Sequence, residues 1–426
     1  LEVDFQELGG GLVIAYLGMP RKIVYFTPEI SDTSTITRAE ALLEQGSELV
    51  VIGFRRDRYN TEFQPPWRCL TLGRTQDGRY TQRLFALLAA LPGLIAHRRV
   101  FQDADIFYAR NIDQLLLALF ARLVIRRAVP IIYEVLDIQP IFVGTGLMSR
   151  LIRAAERYGL RKTDLLVVSS PAFVRNYFTP IQGYSGSWYL LENKLPLSIQ
   201  RIPDATPAKR GIGVPRSDGY RWTVSYCGLI RGHDTIDLIV RLAERLQGVV
   251  LFKFYGVLTT VDGEYFNAAI SRLRNMVYKG PYINPDDLPR IYGDTDFCWA
   301  LDLENTEHNS RWLLPCRFYE AGYFGVPCLA ANGFEVGSLV DQLGVGWSFP
   351  EPYIESLTKF FLTVTPAEYE ERQARLLAQP ADRFVAIEDT ADLLEAFDHA
   401  RGQENAKNMN EIKPARVLNK QINPDG

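Results

Sequence analysis

From Lys22 onward the chain alternates short apolar runs with helical periods, breaks off over residues 199–220, and then begins the same alternation again. Lys22-Ile-Val-Tyr-Phe26 reads as a strand, Thr35 to Gln45 as a helix closed by Gly46, and Glu48-Leu-Val-Val-Ile-Gly53 as a second strand. Further strands are expected at Ile106–Ala109, Pro130–Glu134 and Leu165–Ser169, with helices at Ile112–Arg126 and Gly146–Arg161 between them. Strands that are apolar throughout and separated by helices call for a parallel sheet covered on both faces.

The second half repeats the rhythm with Trp222–Tyr226 as a strand, then an amphipathic helix Thr235–Leu246 burying Ile236, Ile239, Val240, Ala243 and Leu246, then a strand Val249–Phe254. Asp296–Leu301 reads as another strand, Cys328-Leu-Ala-Ala starts a short buried one after Gly325-Val-Pro327, and Thr390–His399 reads as a helix. A chain of 426 residues exceeds one typical core. We therefore expect an α/β protein of two doubly wound domains facing across a cleft: residues 21–198, a Pro/Gly/basic linker 199–220, and residues 221–380. A helical segment 381–400 would pack back on the first domain, ahead of a disordered polar tail 401–426. Residues 1–20 are read as an upstream extension outside the fold.

Composition removes several classes. A net charge of −3 gives no global pull toward nucleic acid, and no apolar run is long enough to span a bilayer. Five cysteines without a CxxC pair fit a reduced, cytoplasmic protein, and four scattered histidines argue against structural zinc. The first strand turns through Phe26-Thr-Pro-Glu-Ile-Ser, lacking the glycines of a dinucleotide-binding dehydrogenase.

The chemistry concentrates in Pro315-Cys-Arg-Phe-Tyr-Glu320 and the Gly325-Val-Pro327 that follows it. Pro315 suits the first helical position, and the amides of that turn favour an anion. Arg317 and Glu320 fall on one helix face, where the cation can meet phosphate and the carboxylate can accept from vicinal ribose hydroxyls. After the strand Trp222–Tyr226, Cys227-Gly228-Leu-Ile-Arg231-Gly232 reads either as a diphosphate-binding turn or as a plain strand-to-helix turn.

These residues, together with Tyr133-Glu-Val-Leu-Asp137-Ile-Gln-Pro140, resemble the GT-B glycosyltransferases, most closely the retaining family-4 type of bacterial polysaccharide synthesis. The likeness runs from Lys22 to about His399. It implies a nucleoside-diphosphate sugar donor, a UDP-sugar first, and a glycan acceptor carried on polyprenyl diphosphate at the inner face of the cytoplasmic membrane. It implies Glu320 on the donor ribose and Arg231 with Arg317 on the diphosphate, beside Gly228, with neither metal nor cofactor. Two features depart from that family: Trp312 stands where the first of two glutamates is usual, and the basic pair after the glycine is reduced to Arg231. Glu304, Glu307 and Asn309 are the candidates for the missing sugar contact.

On the acceptor side, Asp137 would face the cleft, orienting the acceptor hydroxyl or serving as general base in an inverting enzyme; equally, it could cap the next helix. Arg110 and Asn111 could bind a polar or anionic part of the acceptor, with Thr35 and Arg38 nearby. The apolar segment Arg83–Arg99, with basic ends, suits either a core helix or a membrane surface, in which case Leu87 and Leu91 would meet lipid. A nucleotide-sugar epimerase and a non-catalytic nucleotide-sugar-binding module are the competing functions.

Overall fold

The structure is a computed structural model and describes residues 20–56, 63–75, 80–203, 205 and 219–409. All of the expected extension 1–20 but Pro20, most of the linker and the tail from residue 410 lie outside the described residues.

The first sheet holds β1 (Lys22–Thr27), β2 (Glu48–Arg55), β3 (Arg68–Arg74), β4 (Ile106–Arg110), β5 (Ile131–Val135), β6 (Leu165–Val168) and β7 (Trp188–Leu190). All pair in parallel, in the order β3-β2-β1-β4-β5-β6-β7. The inner strands are apolar on both sides because each side carries its own core. One core lies under α2 (Tyr80–Ala96), α3 (Asn111–Ile125), α4 (Pro140–Val143) and α5 (Leu147–Leu160), joining Ala90, Leu94, Leu115, Ala118 and Leu160 to Val24, Phe107 and Tyr133. The other lies under α1 (Thr33–Glu44), which starts where the Asp32 carboxylate accepts from the Thr35 amide at 2.6 Å.

Short β8 (Leu195–Pro196) leads to a second parallel sheet of β9 (Trp222–Ile230), β10 (Val250–Leu258), β11 (Met276–Gly280), β12 (Phe297–Trp299), β13 (Cys328–Ala331) and β14 (Gly346–Phe349). Its order is β11-β10-β9-β12-β13-β14, around a core of its own. The chain returns through β15 (Val385–Ala386), which pairs with β8. A final helix, Asp389–Met409, then lays Leu393 and Phe397 against Ile23, Tyr25 and Val51 of the first sheet. That helix runs well past the His399 expected from its pattern.

In both sheets the strand order reverses direction once, between β1 and β4 and between β9 and β12. Ligands of doubly wound sheets bind outside the carboxyl ends of the strands at such points.

Two local expectations change. β9 does not stop at Tyr226 but runs on to Ile230, so Gly228 lies inside a strand, in register with Gly256 of β10. Both glycines have positive φ, 113° and 135°, and a Cβ on Gly256 would sit 1.7 Å from the Gly228 carbonyl oxygen. Gly256 therefore serves the close approach of the two strands, and Gly228 lies within a strand rather than in a turn. In α2, Leu87 and Leu91 pack on the core, and among the described side chains Phe85, Leu88 and Ile95 are the exposed large apolar ones.

Candidate active site

Each domain sends its strand ends into one cleft. On the second domain, the helix Cys316–Tyr323 begins one residue later than expected, with Pro315 extended at its N-cap (φ −74°, ψ 144°). From its first turn the buried Arg317 lays its guanidinium 4.3 Å from the centre of the Tyr226 ring and donates to the Trp299 carbonyl at 3.2 Å. Its outer nitrogen passes 3.9 Å from the Cβ that Gly228 lacks. A Cβ at 228 would make only an ordinary contact there, so it is the positive φ of 113° that calls for glycine.

Arg231 leaves the end of β9 and donates to one oxygen of Asp302, from Nε at 2.8 Å, with Nη2 at 2.6 Å from the same oxygen. Glu304 stands 3.5 Å from Nε and accepts from Thr260 at 2.5 Å. Burial would raise the Asp302 pKa, but Arg231 and Arg317 outweigh it and hold the carboxyl below its ordinary value. Asp302 follows β12 as Arg231 follows β9. The pair therefore flanks the switch point, and Gly232, at positive φ, opens the next helix beside it.

Glu320, one turn beyond Arg317, is buried and accepts from Asn284 Nδ2 at 2.7 Å and from the Tyr292 hydroxyl at 3.0 Å. Burial raises its pKa, although both donors and Arg317 pull the other way. Sequence reasoning missed Asp302, Asn284, Tyr292 and Tyr226. Asp302 follows a recognised strand and could have been flagged by position; Asn284 and Tyr292 reach the site only through tertiary packing.

Asn309 does not face the Arg231–Arg317 pair. It is buried between the domains, donating to Asp137 Oδ1 at 3.0 Å and accepting from the Ile138 amide at 2.9 Å. Asp137 is exposed at the cleft and its charge acts on Arg231 and Cys316. It caps no helix: α4 takes Gln139 as its N-cap, without a side-chain bond. Glu307 is exposed. Trp312 is buried with Leu313 in the core of the first domain, and its carbonyl accepts from the Ser170 hydroxyl. An acidic side chain there would lie in apolar surroundings.

Arg38 and Arg110 do not reach into the cleft as acceptor ligands. Both converge on buried Glu134, Arg38 from Nε and Nη2 at 3.1 and 2.8 Å and Arg110 from Nε at 2.9 Å. Arg110 also donates to Thr35 and to the Ser34 carbonyl, at 3.3 and 3.1 Å. Asn111, half-buried at the end of β4, holds φ at 67°. Among the described residues, no group of three or more His, Cys, Asp or Glu side chains is arranged to hold a metal ion.

Two parallel sheets whose switch points open on one cleft, with paired cations and a carboxylate in the second domain, define the GT-B class of glycosyltransferase folds. Solved structures of that class superpose on the chain. HepE of Anabaena in complex with UDP and glucose matches with a TM-score of 0.64 and 14% identity, covering 89% of this chain and 100% of that one. TarM of S. aureus, in complex with fondaparinux, α-GlcNAc-glycerol and UDP, matches with a TM-score of 0.61 and 9% identity, covering 88% of this chain and 99% of that one. No family model matches. In sequence, the chain is 30% identical over 357 residues to the succinoglycan biosynthesis protein ExoL of Rhizobium meliloti (strain 1021), spanning 83% of this chain and 87% of that protein. The chain belongs to the ExoL family.

Proposed function

We propose that the protein transfers a sugar from a UDP-sugar to a glycan carried on polyprenyl diphosphate, with retention, in the synthesis of a cell-surface polysaccharide. The observation that carries this reading is the pairing of Arg317 and Glu320 one turn apart at the head of a helix, beside Arg231 at the switch point. The donor diphosphate would lie on Arg231 and Arg317, and its ribose hydroxyls would donate to Glu320. Asp302 keeps Arg231 in place until the donor arrives.

As the bond between the sugar's anomeric carbon and the diphosphate oxygen breaks, charge grows on that oxygen, where two preorganised cations are most effective. The acceptor hydroxyl attacks the anomeric carbon from the same face and gives its proton to the departing diphosphate. Asp137, across the cleft, orients that hydroxyl. The reaction would take place at the inner face of the cytoplasmic membrane, with the enzyme held peripherally: among the described residues no helix is long and apolar enough to cross a membrane.

The test is transfer from a panel of UDP-, GDP- and dTDP-sugars to a polyprenyl-diphosphate-linked glycan, with the anomeric configuration of the product read by NMR. Full transfer by Arg231→Ala or Arg317→Ala would overturn the assignment. Trp312 in place of an acid favours a second reading, a module that binds nucleotide sugar without turning it over; UDP binding without transfer to any acceptor would support it. Conversion of donor alone to its epimer would instead mark an epimerase.

A further inference from the structure

One helix of the first domain carries more apolar side chain outside than in. α5 turns Ser149, Glu156, Gly159 and Leu160 inward, and Glu156 is held by Tyr133 at 2.7 Å, Gln182 at 2.6 Å and Tyr177. Its outward stripe is Leu147, Leu151, Ala154 and Tyr158, at the spacing of one helix face, with Met148 alongside. Leu147 is 73% exposed, Met148 60%, Leu151 57% and Tyr158 57%. An amphipathic helix ordinarily buries such a stripe, and a contiguous exposed one marks a surface that meets something apolar.

Neighbouring helices extend it. α3 packs beside α5 and α2 beside α3, and they expose Leu123 at 74% and Phe85 at 71%. The charge on this layer has one sign: every charged position in 80–100, 111–127 and 140–162 is Arg or Lys, apart from Asp113 and the inward Glu156. In a chain of net charge −3 that is a strong segregation. Arg150 and Arg161 are exposed three residues beyond Leu147 and Tyr158.

We propose that the outer face of α2, α3 and α5 docks on an anionic phospholipid bilayer, with α5 as the principal contact. Leucine, methionine and tyrosine would enter the acyl boundary while the arginines meet headgroup phosphates. A second copy of this chain fits the face poorly, since a two-fold contact would set basic surface against basic surface. Position agrees as well. α4 packs on α5 and follows directly from Asp137, so the apolar stripe begins at the mouth of the cleft. The orientation, though not the docking itself, rests on the proposed lipid-borne acceptor.

The full chain is sedimented with vesicles of phosphatidylcholine alone and of phosphatidylcholine with phosphatidylglycerol, without donor or acceptor. Binding to the anionic vesicles only, fading with salt, is expected. Leu151→Ser with Tyr158→Ser should weaken it by at least about ten-fold, and Arg150→Glu with Arg161→Glu by a similar factor. Circular dichroism and UDP calorimetry should be unchanged in both, because these side chains face solvent. A wild-type protein that stays in the supernatant at low salt, or variants that bind like wild type, would overturn the proposal. So would a wild-type dimer that the Leu151→Ser, Tyr158→Ser variant dissociates, with no vesicle binding. Vesicle binding without UDP binding would leave the docking face standing and remove the donor assignment instead.

Discussion

Arg231 and Asp302 stand at the carboxyl ends of adjacent strands and meet through one carboxylate oxygen, 2.8 Å from Nε and 2.6 Å from Nη2. Each depends on the other: without Asp302 the arginine would keep only the looser contact to Glu304 at 3.5 Å, and an unpaired buried carboxylate would be costly. The pair keeps a cation beside Arg317 that like-charge repulsion would otherwise push away.

Asp302→Asn should therefore cost stability and lower turnover more than it weakens UDP binding. About 1–3 kcal/mol is expected from the lost charge-assisted bonds. The sign with pH follows from the lowered pKa of Asp302: its contribution is present above the unfolded value of 3.8 and lost as pH falls through the still lower folded value. Urea denaturation of both proteins should show a gap that is full at neutral pH and closes below 3.8. A gap that persisted unchanged in acid would deny the ionic role.

Glu320 gives a functional pH dependence of opposite origin. Burial raises its pKa above 4.5, so it takes up a proton earlier on acidification than an ordinary glutamate and loses acceptor capacity for the ribose hydroxyls. The ratio of wild-type to Glu320→Gln affinity for UDP should be greatest near neutral pH and shrink as pH falls through that raised value. Taking the ratio removes titration of the nucleotide itself. Calorimetry that found the ratio flat from neutral pH to below 4.5 would take Glu320 off the ribose.

Asn309 ties the second domain to the loop after β5 through Asp137 and the Ile138 amide. Asn309→Ala leaves the Ile138 amide without its acceptor and should cost about 1–3 kcal/mol. Asn309→Asp should be worse, since it sets two carboxylates face to face. Adding Asp137→Asn restores a donor opposite the new acceptor and should recover most of the loss. Thermal melts of wild type, Asn309→Asp, Asp137→Asn and the double variant form a double-mutant cycle, and purely additive effects would mean that the two side chains do not interact.

The strands legible in the sequence were those with neighbours on both sides. β1, β2, β4, β5, β6, β9, β10, β12 and β13 are continuous apolar runs because both faces and both edges are covered. In the two large sheets the described strands that escaped notice, β3, β7, β11 and β14, are the edges, and two-residue β8 and β15 escaped with them; Arg68-Cys-Leu-Thr-Leu-Gly-Arg74 and Met276-Val-Tyr-Lys-Gly280 carry the polar residues that a half-paired strand needs. The site divides similarly. Arg231, Arg317 and Glu320 could be proposed from the sequence because strand-end and helix-start chemistry is local. The partners of Glu320 were not, because Asn284 and Tyr292 lie 36 and 28 residues away in the chain. Asn309 and Arg110 show the converse error: a polar residue near a strand end read as a ligand contact, when each is spent on another part of the fold.

Arg38, Arg110 and Glu134 bring that error to an experiment. Glu134 lies wholly inside the first domain; burial would raise its pKa, but the two arginines outweigh it and keep it ionised. Removing one arginine leaves the other to neutralise the carboxylate, whereas removing the carboxylate leaves two buried cations with only Asp32, 3.7 Å from Arg110, as counter-charge. Glu134→Gln should accordingly be the most damaging of the three, costing about 3–5 kcal/mol, and Arg38→Ala the mildest because Arg38 is the most exposed. If the arginines bound acceptor, Arg110→Lys would raise the acceptor KM in a protein of normal stability. If they are structural, it should lower the melting temperature, since one ammonium cannot serve Glu134, Thr35 and the Ser34 carbonyl together, and leave the acceptor KM of the folded fraction unchanged. Melting curves with steady-state kinetics at a temperature where each variant is folded separate the two, and the hydrogen-bond geometry predicts the second.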